Sequence, residues 1–96
     1  MSYRISNKAA EDLIHIYREG VVLFGESRAE LYHYELERIF DFLSAIPQSA
    51  RERGEITPPV RVHPFGSHMV IYMIDDEGVY ILRVRHSRED WTKTPL

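Results

Sequence analysis

The sequence predicts an α+β domain of order β-α-α-β-β-β, a helical hairpin packed on one face of a small, mostly antiparallel sheet. Three observations carry this. Residues 7–24 and 27–46 repeat apolar side chains at three- and four-residue steps, the period of an amphipathic helix. Residues 60–65, 68–74 and 79–86 alternate or run apolar over strand lengths. The two helical stretches are separated by only a couple of residues, which forces them to run antiparallel.

Each element has its own local reason. In "SYRIS" (2–6), Tyr3 and Ile5 alternate with Ser2, Arg4 and Ser6, as a short strand requires. Ser6 or Asn7 then caps the first helix, and Glu11 and Asp12 lie near its first turn, where the helix dipole favours negative charge. Ala9, Leu13, Ile16, Tyr17 and Phe24 form its apolar stripe; Gly20 weakens it and Gly25 ends it. Ser27 and Glu30 fit an S-x-x-E capping box for the second helix. Its stripe is Ala29, Tyr32, Leu36, Ile39, Phe40 and Leu43, and Pro47 closes it. Residues 47–59 are polar and without periodicity. "VRVHPF" (60–65) alternates, and Pro64 places it at an edge or at its own end. "HMVIYMI" (68–74) is apolar on both faces, as a central strand should be, and "DDEG" (75–78) turns it into "VYILRVRH" (79–86).

Length and composition bound the rest. Ninety-six residues make one domain, 1–96, that buries roughly 60–65% of its unfolded surface. A hydrophobic share of 44% is that of a globular chain, and a net charge of −3 argues against a purely electrostatic nucleic-acid binder. Without cysteine there is no disulfide or thiolate chemistry, and no apolar run marks a signal peptide or a membrane span; a cytoplasmic location and no membrane partner are expected. Residues 1–60 hold ten acids against seven Lys or Arg, whereas residues 61–96 hold five of each and three of the five histidines. Cationic character is therefore local to the last third.

Strict alternation would turn Tyr80, Leu82 and Val84 toward the helices and Val79, Ile81, Arg83 and Arg85 away from them. With Arg61 and His63, the open face would be a cationic rim around Met69, Ile71 and Met73. Such a face is either simply solvated or a groove for an acidic, amphipathic peptide. Exposed Met and Ile suit a peptide better than a polymer groove, which uses aromatic stacking. On the second helix, Leu31 and Phe42 lie about a third of a turn off the core stripe and Tyr34 about opposite it, at about 100° per residue. They are either the margin of a wide stripe or a second contact surface. His86 reads as a structural residue bonded to backbone or to an acid such as Asp90. His63, His68 and His86 have no zinc-type spacing, and no phosphate-binding or nucleotide-binding glycine motif occurs. Neither metal nor cofactor is expected.

"YRISNKAAEDLIHIY", "FGESRAELYHYEL" and "HPFGSHMVIYMIDDEGVYILRVRHSRED", in this order, resemble ParE-type toxins of the RelE/ParE superfamily over essentially the full length. The resemblance implies the toxin half of a type II toxin–antitoxin module, which inhibits DNA gyrase by protein contact and is neutralised by a ParD-like antitoxin in a hetero-oligomer. Antitoxin contacts are then expected at Arg61, His63, Arg83, Arg85, Leu31, Tyr34 and Phe42, and target contacts at Arg83, Arg85, His86, Arg88 and Trp91. Sequence-specific nucleic-acid binding is not expected. The sister branch, RelE-like toxins, cuts messenger RNA on the ribosome and usually carries an arginine where this chain has Met69. A thioether neither holds a phosphate oxygen nor moves a proton, so the non-enzymatic branch is expected; a ribosome-dependent nuclease, or a non-toxic member that only binds antitoxin, are the alternatives.

Overall fold

The structure is a computed structural model and describes residues 3–90, 92 and 93. The chain runs β1 (Tyr3–Ile5), α1 (Asn7–Phe24), α2 (Glu26–Ala45), a 3-10 turn (Pro47–Ser49), β2 (Glu52–Arg53), β3 (Val60–Phe65), β4 (His68–Asp75) and β5 (Gly78–His86). The five strands are ordered β1-β5-β4-β3-β2; β1 and β5 are parallel, the other pairs antiparallel. The predicted α+β architecture is thus the observed one. The addition is β2, two residues within the stretch expected to be irregular, which pair with Val60 and Arg61 only. Pro64, lacking an N–H, lies beyond that pairing.

Local chemistry sets the boundaries. Ser6 caps α1: its Oγ accepts from Ala9 N at 3.0 Å and donates to the Leu82 carbonyl at 2.7 Å, tying the helix start to β5. Gly25 (φ +92°) ends α1 and also begins α2, a one-residue hinge in a conformation L side chains avoid. Because α2 starts directly at Glu26, the expected capping box at Ser27 does not form, and the helix has no side-chain cap. Gly20 leaves room for the hairpin to close, since a Cβ there would sit 3.3 Å from that of Ala29.

The main core lies between hairpin and sheet. Leu36, Phe40 and Leu43 of α2 and Ala9 and Leu13 of α1 pack on Val70, Tyr72, Val79, Ile81 and Val84. Each large side chain buried there stabilises the fold by about 1.5–3 kcal/mol. Tyr3 meets Phe40 edge-on at 5.3 Å, and the buried Tyr72 donates to the Pro47 carbonyl at 2.7 Å. On the opposite sheet face Ile56, Val60 and Ile71 form a second cluster, with Val62, Met69 and Leu82 against it.

This distribution corrects the expected faces. Val79 and Ile81 meet the helices, whereas Leu82 belongs to the far face. The cause is a bulge: Tyr72 pairs with Ile81 but Ile71 pairs with Arg83, leaving Leu82 as an extra residue that shifts the alternation along β5. Arg61 and His63 are also turned toward the helix side: Arg61 Nη1 donates to the Ala50 carbonyl at 2.6 Å, and the His63 ring lies 5.9 Å from that of Phe42. The four cations therefore do not share one open face. That face is not open at its centre either, because Ile71 is fully buried. Phe24, expected in the core stripe, is 64% exposed, since the hairpin tip is not packed into the core.

Candidate functional site

A cleft of about 870 Å³ opens where the outer half of the hairpin meets the ends of β4 and β5. Its walls are Ile16, Gly20 and Leu23 from α1 and Arg28, Leu31 and Tyr32 from α2; His68, Val84 and His86 form the sheet side. Leu23, Phe24 and Leu31 line it with 61%, 64% and 56% of their surface exposed. Three large apolar groups around one concavity form a surface of the kind that partners cover.

The sheet side holds a cluster that no single sequence signal shows. His68 and His86 begin and end the β4–β5 hairpin and pair directly, with ring centroids 5.3 Å apart. Without the bulge, the register set at Asp75 and Gly78 would place His68 opposite Arg85; the extra Leu82 brings it to His86. Tyr32 Oη lies 2.7 Å from His68 Nδ1 and accepts from Ser67 N at 3.2 Å. Burial, then the nearby His86, hold the His68 pKa below its ordinary value. Burial, with Glu35 adding, raises that of the Tyr32 hydroxyl against the lowering bond from Ser67, so it keeps its proton at neutral pH. His86 is anchored to backbone: its Nδ1 accepts from Arg88 N at 3.1 Å. The structural role expected for His86 fits this, with backbone and not Asp90 as partner.

Arg83 and Arg85 do converge beside His86, and each meets a carboxylate. Beyond Ile81, where β1 no longer pairs with β5, Asp12 takes over the strand edge. It accepts from Arg83 Nε and Nη2 at 2.7 and 2.9 Å and from Val84 N at 3.0 Å. The hydrogen bond to Asp12 raises the Arg83 pKa against the opposing effect of burial. Arg85 Nε donates to Glu89 at 2.7 Å, and Glu89 also accepts from His86 N at 3.2 Å. Burial pushes the Glu89 carboxyl upward, but these bonds outweigh it and leave its pKa below the usual range. Met69 belongs to the far-face cluster, opposite Arg85 in register.

The remaining expected contact residues fall elsewhere. Leu31 lines the cleft with Arg83, Arg85 and His86. Phe42 and His63 meet where α2 passes β3, and Arg61, on the same side of β3 as His63, bonds to the Ala50 carbonyl. Tyr34 is exposed and accepts from Arg38 Nη1 at 3.2 Å. Arg88 is exposed on the turn after β5, and Trp91 lies outside the described residues. Among the described residues, no group of three or more His, Asp or Glu side chains is placed to hold a metal ion, and no helix is long and apolar enough to cross a membrane.

Comparison with known proteins gives this geometry a context. The sequence profile of the family described as ParE toxin of type II toxin-antitoxin system, parDE, matches residues 3–91. The chain belongs to the ParE toxin family. It is 30% identical over 77 residues to Toxin ParE3 of Caulobacter vibrioides, covering 80% of this chain and 77% of that protein. A solved structure titled Chromosomal ParDE TA system from P. aeruginosa superposes with a TM-score of 0.76 at 25% identity, over 90% of this chain and 95% of the other. Two helices on a five-stranded mixed sheet are therefore the ParE fold, here with the cleft at the hairpin tip.

Proposed function

We propose that this ParE-family chain acts by occupancy: it binds DNA gyrase in the bacterial cytoplasm, and a ParD-kind antitoxin neutralises it by covering the cleft. One observation carries the antitoxin part, namely the row Leu23, Phe24 and Leu31 exposed in one concavity with Arg28. An amphipathic segment that lays its apolar side on that row and sets an acid against Arg28 matches it. A disordered segment gives up about 2–5 kcal/mol on ordering, so tight neutralisation needs a long buried strip. Such a strip extends naturally along α2 toward Phe42 and His63. The gyrase target is supported by family membership alone. A supercoiling assay with purified protein tests it: relaxation-to-supercoiling turnover should fall as toxin saturates gyrase and recover on adding antitoxin. Full gyrase activity at saturating toxin rejects the proposal.

The nuclease alternative gains Tyr32 and His68 as neighbours of His86, a constellation able to move protons. Against it, Arg83 and Arg85, the cations beside that cluster on β5, already bind Asp12 and Glu89, and a phosphate would have to displace these carboxylates. Cleaved ribosome-bound transcripts after induction, abolished by His86→Ala, would establish it in place of the gyrase reading.

A further inference from the structure

α1 presents apolar side chains on two sides, and the cleft uses only one of them. At about 100° per residue, Ile14 lies half a turn from Leu23, so a partner seated on Leu23 leaves Ile14 uncovered. There a second concavity, a groove of about 520 Å³, runs between the two helices. Ala10, Leu13, Ile14, Tyr17 and Arg18 of α1 and His33 of α2 line it. Tyr17 and His33, whose rings meet edge-on at 6.2 Å, also reach the cleft; the other four do not. Leu13 is the buried floor, whereas Ile14 is 53% exposed. Ala10, Ile14 and Tyr17 follow one another at steps of four and three, the spacing with which one helix packs on another.

The α2 rim of this groove is acidic. Glu30 and Glu37 stand one turn to either side of His33, with Glu26 and Asp41 one turn beyond them, and all four are exposed. Among the described residues, Glu26, Glu30 and Glu37 form no ion pair, and Asp41 acts on Arg38, three residues away, without forming one. Glu26 with Glu30 and Glu37 with Asp41 are like charges four residues apart, an arrangement that weakens a helix until a cation joins it. Burial, followed by Glu30 and Glu26, raises the pKa of the Tyr17 hydroxyl, so the field of these carboxylates reaches the groove. The α1 rim is balanced, with Glu11 and Arg18 seven residues apart on one side of the helix.

We propose that this groove docks a basic amphipathic helix of a protein partner, its apolar stripe on Ala10, Ile14 and Tyr17 and its cations against Glu26, Glu30, Glu37 and Asp41. Apolar contact along the floor supplies the affinity, and the charged rim sets orientation and excludes acidic competitors. The four carboxylates extend along about 22 Å of α2, so the docked helix is about four turns long. Its flank is opposite in sign to that of the segment assigned to the cleft, and it meets the other side of α1. A second copy of this chain matches less well: the outer side of its α1 brings Arg18 together with Glu11, no net cation for four carboxylates. The groove is a property of the hairpin alone and does not rest on the proposed function.

The test uses the isolated full chain and two synthetic helical peptides of about four turns, both with leucines at steps of four and three. One peptide carries lysines along the flank of that stripe, the other glutamates. Each is titrated into the isotope-labelled chain and followed by NMR at low salt. The lysine peptide should shift the amide signals of Ala10, Ile14, Tyr17 and His33. It should bind about tenfold more tightly than the glutamate peptide and weaken as salt is raised. Glu30→Lys with Glu37→Lys, confirmed folded by circular dichroism, should lose about tenfold in affinity for the lysine peptide, and Ile14→Ser should bind it more weakly at any salt. Equal or tighter binding of the glutamate peptide, shifts confined to the cleft, no binding of the lysine peptide, or undiminished affinity in the charge-reversed variant would each overturn the proposal. So would a dimer in analytical ultracentrifugation whose formation shifts Ile14 without peptide, since the groove would then belong to a second copy. Gyrase and antitoxin take no part in these readouts, so failure here is distinguishable from failure of the proposed function.

Discussion

Replacing Asp12 by alanine is the sharpest test of how α1 is fastened to the sheet. The carboxylate accepts two bonds from Arg83 and one from Val84 N, and the two side chains are only 16% and 19% exposed. Exposed pairs contribute about 0–1 kcal/mol, and breaking a fully buried one costs about 3–5. This site lies between, so the loss should be about 2–3 kcal/mol. For a domain of this size that lowers Tm by roughly 10–20 °C. Thermal unfolding followed by circular dichroism at pH 7 measures it. Asp12→Ala with Arg83→Met removes the stranded cation too, and should recover more than half the loss, leaving only Val84 N unsatisfied. A single-mutant shift below about 4 °C, or a double mutant as unstable as the summed singles, would refute the assignment of Asp12 as a structural anchor.

Two further predictions concern the ends of β4. Gly66→Ala combines a left-handed residue with a collision against Tyr32. It should cost about 2–3 kcal/mol, seen in urea as a lowered midpoint at unchanged m. At the other end, the hydrogen bond from Arg4, followed by that from Glu77 N, holds the Asp75 carboxyl below its usual pKa. Its contribution is present above the unfolded carboxylate value and is lost as pH falls through the folded one. Carboxyl-detected NMR should show Asp75 titrating low, and Arg4→Ala should return it toward normal.

Element identity was legible because each helix and strand repeats its own period, and because Ser6, Gly25 and the "DDEG" turn carry local instructions. Leu36, Phe40 and Leu43 fell on the buried stripe as predicted for the same reason. What escaped depends on contacts between distant residues. The bulge at Leu82 has no local mark in "YILRVR", yet it decides which half of β5 meets the helices and which residue faces His68. Arg61 and His63 were assigned to the wrong side because strand parity in one segment says nothing of its phase against the next. The pairing of Asp12 with Arg83 spans 71 residues and is invisible to any window-based pattern. Of the residues named as contacts, Arg83, Arg85, His86 and Leu31 line one cleft, whereas Arg61, His63, Tyr34 and Phe42 do not. Tyr32 and His68 were not named as contacts, since their proximity is created by the turn at Gly66.

The parallel pairing of β1 with β5 has a consequence for how the molecule comes into being. Tyr3, Ser6 and Asp12 all close on residues between Val79 and Val84, so the bonds that tie β1 and the start of α1 to the sheet cannot form until the carboxyl end arrives. Such distant closure slows assembly relative to a helical bundle of equal length. A chain still emerging from the ribosome lacks the strand on which its beginning must rest. The sheet of the toxin is therefore open at this edge until β5 has been made.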